Sequence, residues 1–250
     1  MNAAFDRVCN LHASNPSLGT RDLLSESDEV QSNGKVFKKA IYGKYKFMTY
    51  REMRENVYNF ASGLSELGVT RLCIYMETRA EWMIAAHACF QHNIQVVTVY
   101  STLGEIAVAQ AIQEADIEVV LTSSALMESK MATVAAACPK LKTIVFAPFE
   151  NAAQKLSLTK FPDTMKCVSY DEVLSRGSRS LIKTNPNEPI TKDTIAMIMY
   201  TSGTTGKPKG VLLSHGNIVS CASSMYARIS DFNNPFCNEN GRINTIMVNL

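Results

Sequence analysis

The 250-residue sequence lacks the marks of several function classes. It has no uninterrupted apolar run of about eighteen residues, the length a bilayer-crossing helix needs, so no segment is predicted to span a membrane. The amino terminus, Met1-Asn2-Ala3-Ala4-Phe5-Asp6, has neither the basic region nor the apolar region of a signal peptide. Charge is nearly balanced at +2, which makes no case for nucleic acid or for an anionic membrane surface. The seven cysteines (9, 73, 89, 138, 167, 221 and 237) include no C-x-x-C pair. An odd, scattered set lying mostly in apolar runs predicts reduced thiols in a cytosolic setting rather than a disulfide framework. The four histidines (12, 87, 92 and 215) show no metal-ligand spacing, and neither H-E-x-x-H nor G-x-S-x-G occurs.

What is present is a 46% hydrophobic content, enough for a sizeable core in one large domain or two small ones. The chain is organised around Tyr200-Thr201-Ser202-Gly203-Thr204-Thr205-Gly206-Lys207-Pro208-Lys209-Gly210-Val211. Apolar runs at 195–199 and 211–213 flank it and read as buried strands. Gly203, Gly206 and Gly210 admit backbone conformations closed to other residues and let a ligand come close. The backbone N–H groups of such a loop can converge as an anion-binding nest. Thr201, Ser202, Thr204 and Thr205 add hydroxyls, and Lys207 and Lys209 add positive charge where phosphates gather. The composition asks for a polyphosphate. It is not a P-loop: in G-x-x-x-x-G-K-S/T register the leading glycine is missing, and Pro208 stands where the magnesium-binding hydroxyl belongs.

Along the chain, residues 1–48 are mixed and polar, with turns at Asn15-Pro16-Ser17 and Asn33-Gly34 and a predicted hairpin over 35–47 closing at Tyr42-Gly43-Lys44. Thr49 and Glu52 form a capping box for a helix over 50–67 that Gly68 ends, with Met53, Val57, Phe60, Ala61 and Leu64 on one face. Strands over 72–76, 96–100, 119–122 and 143–146 alternate with helices over 80–91, about 104–114 and about 125–137. Thr78 and Glu81 read as a second capping box. This β-α-β-α-β-α-β order predicts parallel strands with helices on both faces. His87 and His92 read as one packed and one exposed histidine. Residues 150–192 read as a surface connection with one turn of helix capped by Ser169 and a short strand near Cys167-Val168. Ser214-His215-Gly216-Asn217 reads as a strand-to-helix junction before a helix over 218–228, and the run 243–250 as a strand. Four stretches result: a polar segment and hairpin (1–48), a β/α subdomain (49–149), a connecting segment (150–192), and the phosphate-loop region with the start of a further subdomain (193–250).

The stretch Tyr200–Val211 resembles the phosphate-binding signature of the adenylate-forming enzymes. Met48-Thr49-Tyr50-Arg51-Glu52-Met53, the run Glu77 to Ala86 (ETRAEWMIAA), Val99 to Gly104, and Thr122-Ser123 are similar to the long-chain fatty acid–CoA ligases of that superfamily. With Ser214 to Asn217 they are most similar to the branch that includes arachidonate-preferring enzymes. The resemblance implies an α/β fold, the N-terminal portion of the adenylate-forming (ANL) fold, with largely parallel β-α-β layers, incomplete at the C-terminus. It implies ATP and a long-chain fatty acid as substrates, coenzyme A as co-substrate and Mg2+ as cofactor. The expected phosphate ligands are Thr201, Ser202, Gly203, Thr204, Thr205, Gly206 and Lys207, with Tyr200, Pro208, Lys209 and Gly210 supporting the loop. The family's magnesium-binding Glu, ribose-binding Asp, hinge and carboxylate-contacting lysine are expected downstream of Leu250, as are the catalytic residues and most of the acyl tunnel. The resemblance leads to the expectation of an N-terminal membrane anchor in relatives, and none is read in residues 1–48. The resemblance implies the cytoplasmic face of the endoplasmic reticulum or another intracellular membrane, and leaves membrane association and self-association open. Because the chain ends inside an apolar segment, the expectation is a piece of a longer ligase that does not complete the reaction alone. The alternatives are a non-catalytic truncated product that binds nucleotide or a full-length partner, and a fragment unstable by itself.

Overall fold

The computed structural model describes residues 1–149, 156–184, 188–201 and 209–229. Helix α1 (Asn2–Leu11) opens the chain where the sequence predicts only a polar segment. No side chain caps it, so its sequence carries no start signal, and tertiary contacts hold it instead. The Asp6 carboxylate accepts from Arg54 Nε at 2.9 Å and from the Tyr58 hydroxyl at 2.8 Å, and Phe5 stacks on His87 with ring centroids 4.5 Å apart.

Four short strands follow: β1 (Pro16–Thr20), β2 (Leu23–Val30), β3 (Val36–Tyr42) and β4 (Lys46–Thr49). β2 and β3 form the hairpin, and β1 pairs antiparallel with β4. The hairpin therefore closes at Asn33-Gly34, where Gly34 adopts φ 78°, and not at Tyr42-Gly43-Lys44 as the sequence predicts. A turn needing positive φ selects glycine, and Gly34 supplies it.

Helix α2 (Tyr50–Glu66) begins with the predicted capping box: Glu52 N donates to Thr49 Oγ1 at 3.2 Å and Thr49 N to Glu52 Oε2 at 2.7 Å. Gly68, at φ 69°, ends it. Then come β5 (Arg71–Tyr75), α3 (Ala80–Gln91), β6 (Gln95–Val99), α4 (Glu105–Glu114) and β7 (Val119–Ser123). The next helical passage is α5 (Ser124–Leu126), a π-helical turn Met127–Met131 and α6 (Ala132–Ala137), before β8 (Thr143–Ala147). The predicted second capping box does not form. Arg79, not Thr78, is the N-cap of α3, without a side-chain bond to the helix, and Glu81 turns back to Arg79.

The segment read as a surface connection contains β9 (Lys166–Ser169) and the three-turn helix α7 (Tyr170–Arg179), capped by Ser169 Oγ on Glu172 N at 3.1 Å. After it come β10 (Ile195–Thr201), β11 (Lys209–Ser214) and α8 (His215–Ile229). The run 243–250, read as a strand, lies outside the described residues.

Seven strands make the main sheet in the order β11-β10-β6-β5-β7-β8-β9. Every neighbouring pair is parallel except β10 with β11. Period-two alternation splits the strands between two cores. Leu72, Ile74, Val119 and Leu121 pack under α2, α3 and α7. Cys73, Tyr75, Val97 and Val120 pack under α4 and the helical passage 124–137. Phe60 of α2 stacks on Tyr170 of α7 at 4.5 Å, worth about 1 kcal/mol beyond the area it buries. Neither His87 nor His92 is exposed: His92 is buried with Ser65 Oγ 2.7 Å from its Nδ1, and His87 lies under Phe5. The six described cysteines are free thiols, four of them buried. Among the described residues no helix is long and apolar enough to cross a membrane.

Candidate functional site

The site begins at the carboxyl end of β10. This strand runs parallel to β6, with Met197 beside Val96 and Met199 beside Thr98. It delivers Thr201 to the edge of the sheet where, in open parallel sheets, ligands bind. There the chain leaves the sheet and comes back as β11. The antiparallel register sets Thr201 opposite Lys209, Tyr200 opposite Gly210 and Met199 opposite Val211. The two roots of the loop are therefore cross-strand partners, with Cβ atoms about 5 Å apart. The ladder thus joins the two ends of a seven-residue connection at the carboxyl edge of the sheet.

Of the predicted phosphate ligands, Thr201 lies exposed at the end of β10. Ser202, Gly203, Thr204, Thr205, Gly206 and Lys207 lie outside the described residues, as does Pro208. Of the predicted supports, Tyr200, Lys209 and Gly210 are described, and they form the base. Tyr200 is buried near the end of β10 on the α4 side of the sheet, at 3% exposure. Burial, reinforced by the Glu114 carboxylate, pushes its phenol up to about 12, so it stays a neutral anchor. Gly210 lies against that ring: a Cβ there would meet Ile198 Cγ2 at 3.1 Å and Tyr200 Cζ at 3.3 Å. The sequence reading gave Gly210 to loop flexibility; its position opposite Tyr200 shows a packing reason.

The Ser214–Asn217 junction fixes the far side. Asn217 N donates to Ser214 Oγ at 3.2 Å and Ser214 N to Asn217 Oδ1 at 3.0 Å, a reciprocal cap that starts α8. Gly216 N donates to Lys192 O at 2.8 Å, and a Cβ on Gly216 would sit 2.8 Å from that oxygen. His215 is buried with its ring edge-on to Phe90 at 5.8 Å. Burial, with the nearby chain amino group, pushes its imidazole down. It is a neutral packing residue at the junction, not a proton carrier for the loop.

No group of three or more His, Cys, Asp or Glu among the described residues could hold a metal ion. The described residues at the base of the loop, Tyr200, Thr201, Lys209 and Gly210, bring no carboxylate, so they offer no magnesium ligand of that kind. The loop can supply hydroxyl and backbone donors together with the Lys207 ammonium, which is the chemistry of holding a phosphate chain.

The sequence pattern of the AMP-binding enzyme family matches residues 29–241. The chain is similar to long chain acyl-CoA synthetase 8 of Arabidopsis thaliana, with 33% identity over 228 residues that cover 90% of this chain and 31% of that protein. It is 29% identical to long-chain-fatty-acid–CoA ligase 2 of Schizosaccharomyces pombe, over 88% of this chain and 34% of that one. Among solved structures, the A-PCP didomain of carboxylic acid reductase from Segniliparus rugosus in complex with AMP matches with a TM-score of 0.70 at 16% identity, covering 90% of this chain and 33% of that one. The Mycobacterium tuberculosis fatty acyl CoA synthetase matches with a TM-score of 0.56 at 19% identity, covering 90% and 36%. The chain thus spans about a third of the length of the curated relatives it matches. With the family match over residues 29–241 and this mostly parallel sheet, the chain belongs to the AMP-binding enzyme family and forms the N-terminal part of the adenylate-forming fold.

Proposed function

We propose that the protein activates long-chain fatty acids as an AMP-forming ligase. A fatty acid carboxylate oxygen attacks the α-phosphorus of ATP and pyrophosphate leaves, giving the acyl-adenylate. The thiolate of coenzyme A then attacks the acyl carbonyl carbon, AMP leaves, and acyl-CoA forms. The observation that supports this reading is the stretch Tyr200–Val211, with its roots Thr201 and Lys209 paired at the carboxyl edge of the sheet, in a chain related to proteins named as long-chain acyl-CoA synthetases.

In this reading Thr201, Ser202, Gly203, Thr204, Thr205, Gly206 and Lys207 hold the β- and γ-phosphates and stabilise charge as pyrophosphate departs. Tyr200, Pro208, Lys209 and Gly210 hold the loop in place. Lys209 sits in the ladder opposite Thr201, so it supports the loop and Lys207 is the phosphate cation. The ligand for Mg2+, and the groups that hold ribose and the reacting carboxylate, are assigned to positions outside these 250 residues. The cytoplasmic face of the endoplasmic reticulum or another intracellular membrane is the proposed location; its support is kinship alone, and relatives of the chain include peroxisomal ones by name.

Titration of the 250-residue chain with ATP tests the loop assignment. Lys207→Ala is expected to weaken ATP binding by about tenfold or more, since a charge-assisted contact is worth roughly 1.5–3 kcal/mol. Equal affinity in both proteins would sink the assignment. Fatty-acid-dependent ATP–pyrophosphate exchange then asks whether these residues suffice for adenylation. No exchange is expected from them.

A further inference from the structure

The turn that follows β6 lies beside the end of β10. β6 is the parallel neighbour of that strand, with Val97 beside Ile198 and Thr98 beside Met199. Carried two residues on, the register sets Tyr100 beside Thr201, one strand spacing or about 5 Å away. Alternation puts both on the α3 face of the sheet, since Val96 and Met199 pack in that core while Val97 and Tyr200 pack in the other.

Tyr100 is 59% exposed, although it stands one step beyond a central strand. Among the described residues its hydroxyl has no hydrogen-bond partner. A phenol carries one O–H donor, and the carboxyl edge of a parallel sheet is where ligands gather. Tyr100 and Thr201 thus bring hydroxyls from adjacent strands to one side of that edge.

The turn that carries Tyr100 is pinned from below. Leu103 N donates to Tyr100 O at 3.0 Å. Lys130 Nζ donates to Ser101 O and to Leu103 O, each at 3.1 Å, and the Tyr75 hydroxyl donates to Leu103 O at 3.4 Å. Lys130 belongs to the π-helical turn Met127–Met131, whose two methionines are fully buried. Such turns are rare and occur often at functional sites. This one follows β7, yet it sends its ammonium to the turn after β6, with β5 lying between those strands. Among the described residues no carboxylate pairs with Lys130. Ordering a lysine side chain costs rotamer freedom, and here both of its bonds go to the backbone under Tyr100.

We propose that Tyr100 is a further ligand of the phosphate chain of ATP, and that Lys130 is the residue that positions it. The inference rests on the proposed reading of Tyr200–Val211 as the ATP site and extends that site to a second strand. The phenol donates its O–H to a phosphate oxygen beside Thr201, and a hydrogen bond to a charged acceptor is among the stronger ones. Lys130 acts through the carbonyls of Ser101 and Leu103 and touches no phosphate.

Calorimetric titration of the 250-residue chain with ATP and with inorganic tripolyphosphate tests both roles. Tyr100→Phe removes only an exposed hydroxyl. It is expected to weaken both ligands by about tenfold, as loss of a hydrogen bond to a charged group does, with an unchanged melting temperature. Lys130→Met is expected to weaken them several-fold, and Lys130→Arg, which can still donate to both carbonyls, to restore most of that loss. Because Lys130 acts through Tyr100, the double variant Tyr100→Phe/Lys130→Met should bind no worse than Tyr100→Phe alone. Additive losses, or a lowered melting temperature with affinity unchanged in Lys130→Met, would overturn the positioning role. Full affinity in Tyr100→Phe would overturn the phosphate contact, as would a loss confined to ATP, which would put the phenol on the nucleoside. Lys207→Ala tells the two readings apart. Weak binding there beside full affinity in Tyr100→Phe refutes Tyr100 alone. Undiminished binding in Lys207→Ala, or uptake of neither ligand by the unaltered chain, refutes the loop assignment and this proposal together.

Discussion

The imidazole of His87 stacks on Phe5, and burial pushes its pKa down to about 4 from an ordinary 6.5. The same cause lowers His92 and His215. A histidine whose folded pKa is depressed contributes stability that is fully present above pH 6.5 and is lost as pH falls toward 4, because the unfolded chain takes up the proton first. For His87 alone the loss between pH 7 and pH 5 comes to about 2 kcal/mol. Urea unfolding at the two pH values measures it. His87→Phe keeps a ring for Phe5 and removes the titration, so it should flatten the slope; an unchanged slope would mean that other groups set it. The sequence reading placed one of His87 and His92 in solvent. Helical spacing alone could not show that α1 folds back over α3 and covers His87, because Phe5 lies far from it in sequence.

At the scale of elements, the contact of α2 with α7 decides how the second half of the chain joins the first. Gly63 and Gly177 let the two helices meet backbone to backbone. A Cβ on Gly177 would lie 1.7 Å from Asn59 O, and one on Gly63 would lie 2.2 Å from Val173 O. Backbone cannot move aside as a flexible side chain can, so Gly177→Ala is expected to cost about 3 kcal/mol or more, the upper range for overpacking. Thermal unfolding would show it as a marked drop in melting temperature, and a fall of only a degree or two would place the close approach elsewhere. The sequence showed the Ser169 cap but read a single turn of helix in a surface connection. Gly177 inside α7 weakens the helical signal, and its reason lies in another element. The capping box at Thr49 and Glu52 was legible because both partners lie within four residues. The one proposed at Thr78 and Glu81 obeyed the same local rule and was overridden by the Arg79–Glu81 fork.

At the scale of the whole molecule, one sheet carries both cores. Odd and even positions of β5, β6 and β7 feed opposite faces, so neither core can be lost without the strands that build the other. Unfolding is therefore expected to be one cooperative transition. Trp82, the only tryptophan, sits in α3 against one core. Its fluorescence and the far-ultraviolet circular dichroism should give coincident urea curves with one midpoint. Separated midpoints would show that the two faces come apart independently. Placement of the stretch 200–211 belongs to this scale too. Its spelling was readable in the sequence, but its pairing of Thr201 with Lys209 depends on β11 returning beside β10, on the far side of β6 from β5.

The sequence by itself determined what local rules control. These are the alternation of strands and helices from Tyr50 to Ala147, the cap at Thr49, the stop at Gly68, and the signature Tyr200–Val211 with the chemistry its residue types imply. Periodicity, capping and loop composition act within a few residues, so they leave a pattern in the chain. Only the tertiary structure decided that β9 and α7 complete the sheet and one core and that α1 covers His87. Each of these joins groups far apart in sequence. Long-range packing, backbone approach at glycine and the pairing of distant charges set them, and none has a local spelling.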